Sequence, residues 1–376
     1  MEKDWLEETK ELLITLTQIP APTGKEKARA DFIEIYLLQK GILGRRDTAG
    51  NLIYEIKGER PEYALFTAHL DTVFDDEVIR VEEKPAECAS GNNRTGRILC
   101  APGIGDDTSN VVLLIKLLEA MHMRKEKPQQ SILIAFDVGE EGLGNLKGIR
   151  QLCQDYASQL AEVIAVDLQY HTIYIKAAGS IRLRAEITTE GGHSYKEFGN
   201  ANAIAEAAEL ISRIYQIDVS EEAEKVTYNV GKIEGGTSVN TIAADCSFLV
   251  EVRSENEQLL QKYIKKVKNI ILSAKKAKVT LTEIGNRPCN GAVPADRQRQ
   301  LIDRAGKAIF EVTGKEAVCT DGSTDCNIPL SLGIPAVGFG GYEGGGAHTK
   351  QEWMNPDSLE TGYRILCKFA EKYYSC

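Results

Sequence analysis

Three of the five histidines stand in short segments rich in Gly, Asp or Glu: AHLDTV, GGHSY and GGGAHTKQE. His69 and Asp71 close the apolar run Tyr63–Ala68. A strand tip there would present an imidazole and, two residues on, a carboxylate projecting to the same side. Imidazoles that bind a metal ion usually donate their other N–H to a carboxylate, which fixes tautomer and ring orientation, and Asp71 is placed to do this for His69. An H-x-D triplet is equally compatible with a structural histidine in a turn. Gly103-Ile104-Gly105-Asp106-Asp107-Thr108 sets two adjacent carboxylates in a glycine-rich loop that opens into a helix from Ser109. Taken alone, that is also what an ordinary acidic helix start looks like.

Phe136-Asp137-Val138-Gly139-Glu140-Glu141-Gly142 follows another apolar strand. Two consecutive acids at a strand end are expected on different sides of the backbone, one binding metal and the other acting as a general base, unless the segment is merely a solvated acidic turn. Asp167 ends the run Val163–Val166, at the carboxyl end of a strand, where open α/β sheets place their ligands. His348 lies among glycines that let the backbone fold tightly around a site. Two imidazoles and three acids form the mixed nitrogen and oxygen set of zinc, manganese or cobalt enzymes rather than of calcium sites. His122 and His171 stand in no such motif and read as structural.

These residues need a scaffold, and the pattern supplies one. An amphipathic helix is expected over Trp5–Leu16, apolar strands at Asn51–Ile56, Tyr63–Ala68, Ser131–Phe136 and Glu162–Val166, and a helix at Ser109–Met121, an α/β alternation. From Ser180 the rhythm changes. The alternation Ile181 to Ile187, a helix Ala201–Tyr215, strands Val226–Ile233 and Ala243–Val252, a helix from Glu257 to Ala274 and a strand Val279–Ile284 give a ferredoxin-like β-α-β-β-α-β order. After Arg287 the first rhythm resumes, with a helix Leu301–Val312, a strand near Ile334–Phe339 and a closing helix from Pro356 to Tyr373. The expected division is a discontinuous α/β domain, residues 1–178 and 287–376, interrupted by an inserted α+β domain, residues 179–286.

At 376 residues with 43% apolar and 27% charged side chains, the chain has the composition of a globular protein of two domains. A formal charge of -10 and no long basic stripe argue against nucleic-acid binding. No secretory leader and no membrane span is expected, because the N-terminal segment is charged throughout and the most apolar helix carries Lys116 and Glu119. Nine cysteines without a C-x-x-C pair, running to Cys376, point to reduced thiols and the cytoplasm.

Taken in order, AHLDTV, GIGDD, GEEGLGN, AVDL, GGHS, GGTSVNTI and GGAHTKQEW resemble the M20 metallopeptidases across nearly the whole chain. That family includes peptidase T-like aminotripeptidases, glutamate carboxypeptidases, aminoacylases and acyl-amino-acid deacylases. The resemblance implies a zinc-peptidase-like α/β catalytic domain with an inserted ferredoxin-like lid or dimerisation domain. It also implies two divalent metal ions, zinc, with manganese or cobalt as alternatives. His69 and Asp167 would hold one ion, Glu141 and His348 the other, and Asp106 would bridge them. Glu140 would be the general base, Asp71 the orienter of His69, and the Asp106–Asp107 peptide cis. His193 would stabilise the oxyanion in the partner subunit of a homodimer, and Asn240 would contact substrate. Arg253 or Arg287 could clamp a substrate carboxylate by a bidentate pair, with a surface salt bridge as the plain alternative. The leading expectation is an aminopeptidase of short peptides. A deacylase of N-acyl amino acids or a carboxypeptidase is the alternative, and a non-catalytic metal-binding scaffold is a remote third. Thr108 stands where the family often has Lys, and Asp167-Leu168 where it has Asp-Gly or Glu-Gly.

Overall fold

A computed structural model describes residues 3–88 and 96–374. The chain divides into two compact units, one running to Lys176 and resuming at Gly291, the other spanning Ala177–Asn290.

The first unit is built on an eight-stranded sheet in the spatial order Arg45–Arg46, Leu52–Ile56, Gln130–Asp137, Arg60–His69, Leu160–Ala165, Ala336–Gly338, Thr172–Ala177 and Val318–Gly322. The four central strands, from Gln130–Asp137 to Ala336–Gly338, run parallel. They are continuous apolar runs because helices cover both faces of such a sheet. Leu65, Phe66, Leu133, Ile134, Val163 and Ile164 are all fully buried. Helix Asn110–Met123 is buried on nearly every side, and its buried Lys116 is paired with Glu8 at 2.7 Å. In chain order the central strands lie 2-1-3-4, so the direction of winding reverses between Arg60–His69 and Leu160–Ala165. A crevice opens at such a switch point, beyond the carboxyl ends of the strands.

A smaller antiparallel sheet joins Glu82–Pro85, Arg97–Cys100, Trp353–Met354 and Gly344–Gly345. Gly344–Gly345 pairs back on Trp353–Met354, so residues 346–352 form the tip of a hairpin. His348 sits in that tip at φ +63°.

In the second unit the strands Gly179–Thr188, Val226–Gly235, Asp245–Ser254 and Lys278–Arg287 form an antiparallel sheet in the chain order 2-3-1-4. Helices Ala203–Ile214 and Glu257–Leu272 bring their apolar faces to its core. The alternation that predicts the first strand is the one seen: Ile181, Leu183, Ala185 and Ile187 are buried. Asn202 and Asn256 cap the two helices, their side chains accepting from Ile204 N at 3.0 Å and Leu259 N at 3.1 Å.

The expected elements of both units are present, with ends shifted by a few residues. Helix Ala295–Thr313 begins six residues before Leu301, in a polar first turn and a half that apolar spacing could not show. Of the nine cysteines, the seven whose side chains are described are free thiols, and the side chains of Cys88 and Cys376 lie outside that description. No helix among the described residues is long and apolar enough to cross a membrane.

Candidate metal centre

The ends of the parallel strands bring the sequence-predicted residues of the first unit together. His69 ends its strand and faces Asp137 in register, Asp167 follows the next strand across the switch point, and Glu140 and Glu141 follow Asp137. Asp106 arrives on the loop before helix Asn110–Met123, and its peptide bond to Asp107 is cis.

Asp106 stands at the middle of the set. Its Oδ1 lies 3.1 Å from His69 Nε2 and its Oδ2 3.2 Å from His348 Nε2. His69 Nε2 is also 3.9 Å from Asp167 Oδ1, and His348 Nε2 is 2.9 Å from Glu141 Oε1. One carboxylate thus turns an oxygen to each of two donor pairs, His69 with Asp167 and His348 with Glu141. Ligand atoms of His69, Asp106, Asp107 and Asp167, and separately of Asp106, Glu141 and His348, lie within 4.8 Å of one another.

The donor set fits divalent cations. Three predicted carboxylate ligands and Glu140 are each at most 6% exposed, and Asp167 Oδ1 is buried without a hydrogen-bond donor. Buried carboxylates need positive charge close by, and the two imidazoles are its nearest source. The field draws protons onto both rings. His348 is pushed up to about 10 by its hydrogen bonds to Asp106 and Glu141. Burial opposes charge on His69, but Asp107, Asp106 and Asp167 raise it well above the ordinary histidine range. Asp167 is itself raised, by burial and by the neighbouring carboxylates Asp106, Glu140 and Glu141. The two raised imidazoles report a surplus of negative charge around them, the condition a metal ion relieves.

Two expectations change. The carboxylate of Asp71 is 3.7 Å from His69 Nδ1, beyond hydrogen-bond range, and the Asp71 carbonyl takes that position at 3.0 Å. The carboxylate instead accepts Glu140 N at 3.0 Å, Glu141 N at 2.9 Å and the Thr23 hydroxyl at 2.9 Å. Asp71 therefore orients His69 through its main chain and holds the Glu140–Glu141 backbone with its side chain. The two glutamates also do not point apart. The strand ends at Asp137, Gly139 turns at φ +70°, and Glu140, Glu141 and His69 bring ligand atoms within 4.8 Å of one another.

Sequence reasoning missed several supports. Glu352 accepts Gly103 N at 2.6 Å, Gly105 N at 3.0 Å and Asp106 N at 2.7 Å, and so shapes the Asp106 loop from the base of the His348 hairpin. Burial, followed by the Asp106 charge, pushes its carboxyl up to about 8 against those three donors. Its one signal was its place in GGAHTKQEW. Arg29 is fully buried and donates to Leu70 O at 2.8 Å, Ile19 O at 2.9 Å and the Thr108 hydroxyl at 3.2 Å. A basic residue on the same helix face as Ile33 and Leu37, four and eight residues on, was the available clue.

The remaining predicted residues belong to the second unit, in two places. His193 and Asn240 share one edge: Gly192–His193 pairs with Thr241–Ile242, Ser194 N donates to Asn240 O at 3.0 Å, and both side chains are exposed. Arg253 and Arg287 both lie opposite Ser180, at the start of the strand whose far end leads to His193. Ten strand residues span roughly 30 Å, so the two pairs stand well apart. Arg253 is held by Glu251 at 2.9 Å, and Arg287 is buried. His171 pairs with Glu343 at 3.1 Å.

Residues 65–372 match the model of peptidase family M20/M25/M40. The fold is similar to a tripeptidase from Staphylococcus aureus, with TM-score 0.73, 22% identity and 97% of each chain covered. It is also similar to a dinuclear metal binding peptidase of the M20 family from Bacillus subtilis, with TM-score 0.63, 15% identity and 98% of each chain covered. In sequence the chain is 24% identical over 365 residues to succinyl-diaminopimelate desuccinylase of Corynebacterium glutamicum, covering 94% of each. With the family model matched over most of its length, the chain belongs to peptidase family M20/M25/M40 and is a metallopeptidase or metal-dependent amide hydrolase.

Proposed function

We propose that this protein is a two-metal aminopeptidase of short peptides, in which Asp106 bridges one ion held by His69 and Asp167 and another held by His348 and Glu141. The split of the Asp106 oxygens between the two donor pairs, at 3.1 and 3.2 Å, carries this reading. Bound there, two zinc ions, or manganese or cobalt in their place, supply Lewis-acid activation of a water and of the scissile carbonyl. Glu140, its backbone fixed by Asp71, accepts the proton of the attacking water and delivers it to the leaving amine. His193, from the partner subunit of a homodimer, donates to the developing oxyanion, and Asn240 contacts the substrate. Of Arg253 and Arg287, Arg253 is the one exposed enough to meet a substrate carboxylate, whereas Arg287 is buried. The free thiols support a reducing, cytoplasmic setting.

Likeness to a tripeptidase supports the aminopeptidase reading. Likeness to a desuccinylase favours a second, removal of an acyl group from an amino acid by the same metals and base. Hydrolysis of free-amine tripeptides against N-acyl amino acids, with Glu140→Ala as the blank, separates them. The proposal expects tripeptides to be cleaved at least tenfold faster in kcat/KM. A reversed preference selects the deacylase, and no turnover of either class with any of the three metals overturns both.

A further inference from the structure

Asn110 opens the helix Asn110–Met123 and is fully buried. Its Nδ2 donates to Asp107 Oδ1 at 2.7 Å and to Leu168 O at 3.0 Å, while its Oδ1 accepts from Gly341 N at 2.7 Å. Both N–H donors are used, and the amide can take only this orientation, because two acceptors face the nitrogen and a donor faces the oxygen.

The three partners belong to the three segments that bring Asp106, Asp167 and His348 to the metal centre. Asp107 follows Asp106 and turns its other oxygen to His69 N at 3.1 Å. Leu168 follows Asp167 and holds a left-handed φ of +59°. Gly341 begins the stretch that leads into the His348 hairpin. Two of these backbones are in direct contact, since a Cβ on Gly340 would fall 1.5 Å from Leu168 O, and helix Ser358–Ala370 closes on the third side, where a Cβ on Gly362 would fall 1.6 Å from Gly341 O. Little room is left for the segments to be set by anything bulkier than a hydrogen bond.

We infer that Asn110 is a positioning residue of the metal centre, one amide that sets the spacing of the Asp106 loop, Asp167 and the segment leading to His348. The inference rests on the two-metal reading above. An aspartate at this position would turn an anionic oxygen toward Asp107 and Leu168 O. An alanine would leave the buried Gly341 N–H without its acceptor.

The test is a chelator-competition titration with zinc on wild type, Asn110→Ala and Asn110→Asp, alongside thermal melting of the metal-free proteins. Ile115→Val, a core change in the same helix, serves as the control for lost stability. Ligand-supporting hydrogen bonds typically govern metal affinity by about 10–100-fold. The expected result is a loss of that size in both Asn110 variants, largest for Asn110→Asp, with Ile115→Val binding zinc as wild type does. Wild-type affinity in Asn110→Ala, accompanied only by a lower melting temperature, overturns the inference while leaving the two-metal reading intact. A wild type that fails to bind two ions overturns both. Should Asn110→Asp not fold, Asn110→Ser, which keeps one donor and one acceptor, replaces it under the same criteria.

Discussion

The two units hold their candidate residues in opposite environments. His69, Asp106, Glu140, Glu141 and Asp167 are at most 6% exposed, and the backbones that carry them are held by the Asp71 and Glu352 carboxylates, which accept from Glu140 N, Glu141 N and Asp106 N, and by Asn110, whereas His193 and Asn240 stand in solvent on a short two-stranded edge. Buried groups are preorganised by their own surroundings, so their chemistry is set before substrate arrives. Exposed groups acquire a fixed geometry only when something packs on them. The first unit should therefore respond to mutation through metal affinity as well as turnover, and the second through turnover or substrate handling with the metals retained.

That contrast can be broken at several points. Glu140→Gln is the largest: a loss of about 10²–10⁴ in kcat with both metals retained, read by turnover together with metal analysis. Simultaneous loss of metal would make Glu140 a ligand rather than a base. His193→Ala should lower kcat by about 10²–10³ through a lost oxyanion donor, with no change in metal content or melting temperature. Weakened metal binding in that variant would erase the distinction between the units. Asp71→Asn presents an amide N–H to one of three donors and should lower metal affinity or activity by about 10–100-fold, measured by the same zinc titration. The smallest effect belongs to Asn256→Ala, which removes a helix cap in the second unit and should cost about 1 kcal/mol in denaturant unfolding, with zinc affinity unchanged.

The same contrast decides what could be read from the sequence. Metal-ligand candidates were legible because each sits at the end of an apolar strand or in a glycine-rich loop, and because their motifs follow one another in a family order. The second unit's sheet was legible from strict alternation between Ile181 and Ile187. What escaped depends on turns and on contacts between distant segments. The role of the Asp71 carboxylate follows from the turn at Gly139, which no spacing rule contains. Helix Lys27–Gln39 went unremarked because its apolar residues are spread around it, with Ile35 and Leu38 more than half exposed while Ile33 and Leu37 are buried. Asn110 resembles any residue in a first helical turn until Leu168 and Gly341 are placed beside it.

Metal stoichiometry in wild type and Asp106→Asn tests the bridging carboxylate most directly. Two divalent ions per chain in the wild type, with affinity for both lost together in Asp106→Asn, is the predicted result. A wild type that saturates at one ion, or an Asp106→Asn variant that keeps one ion at full affinity, would contradict it.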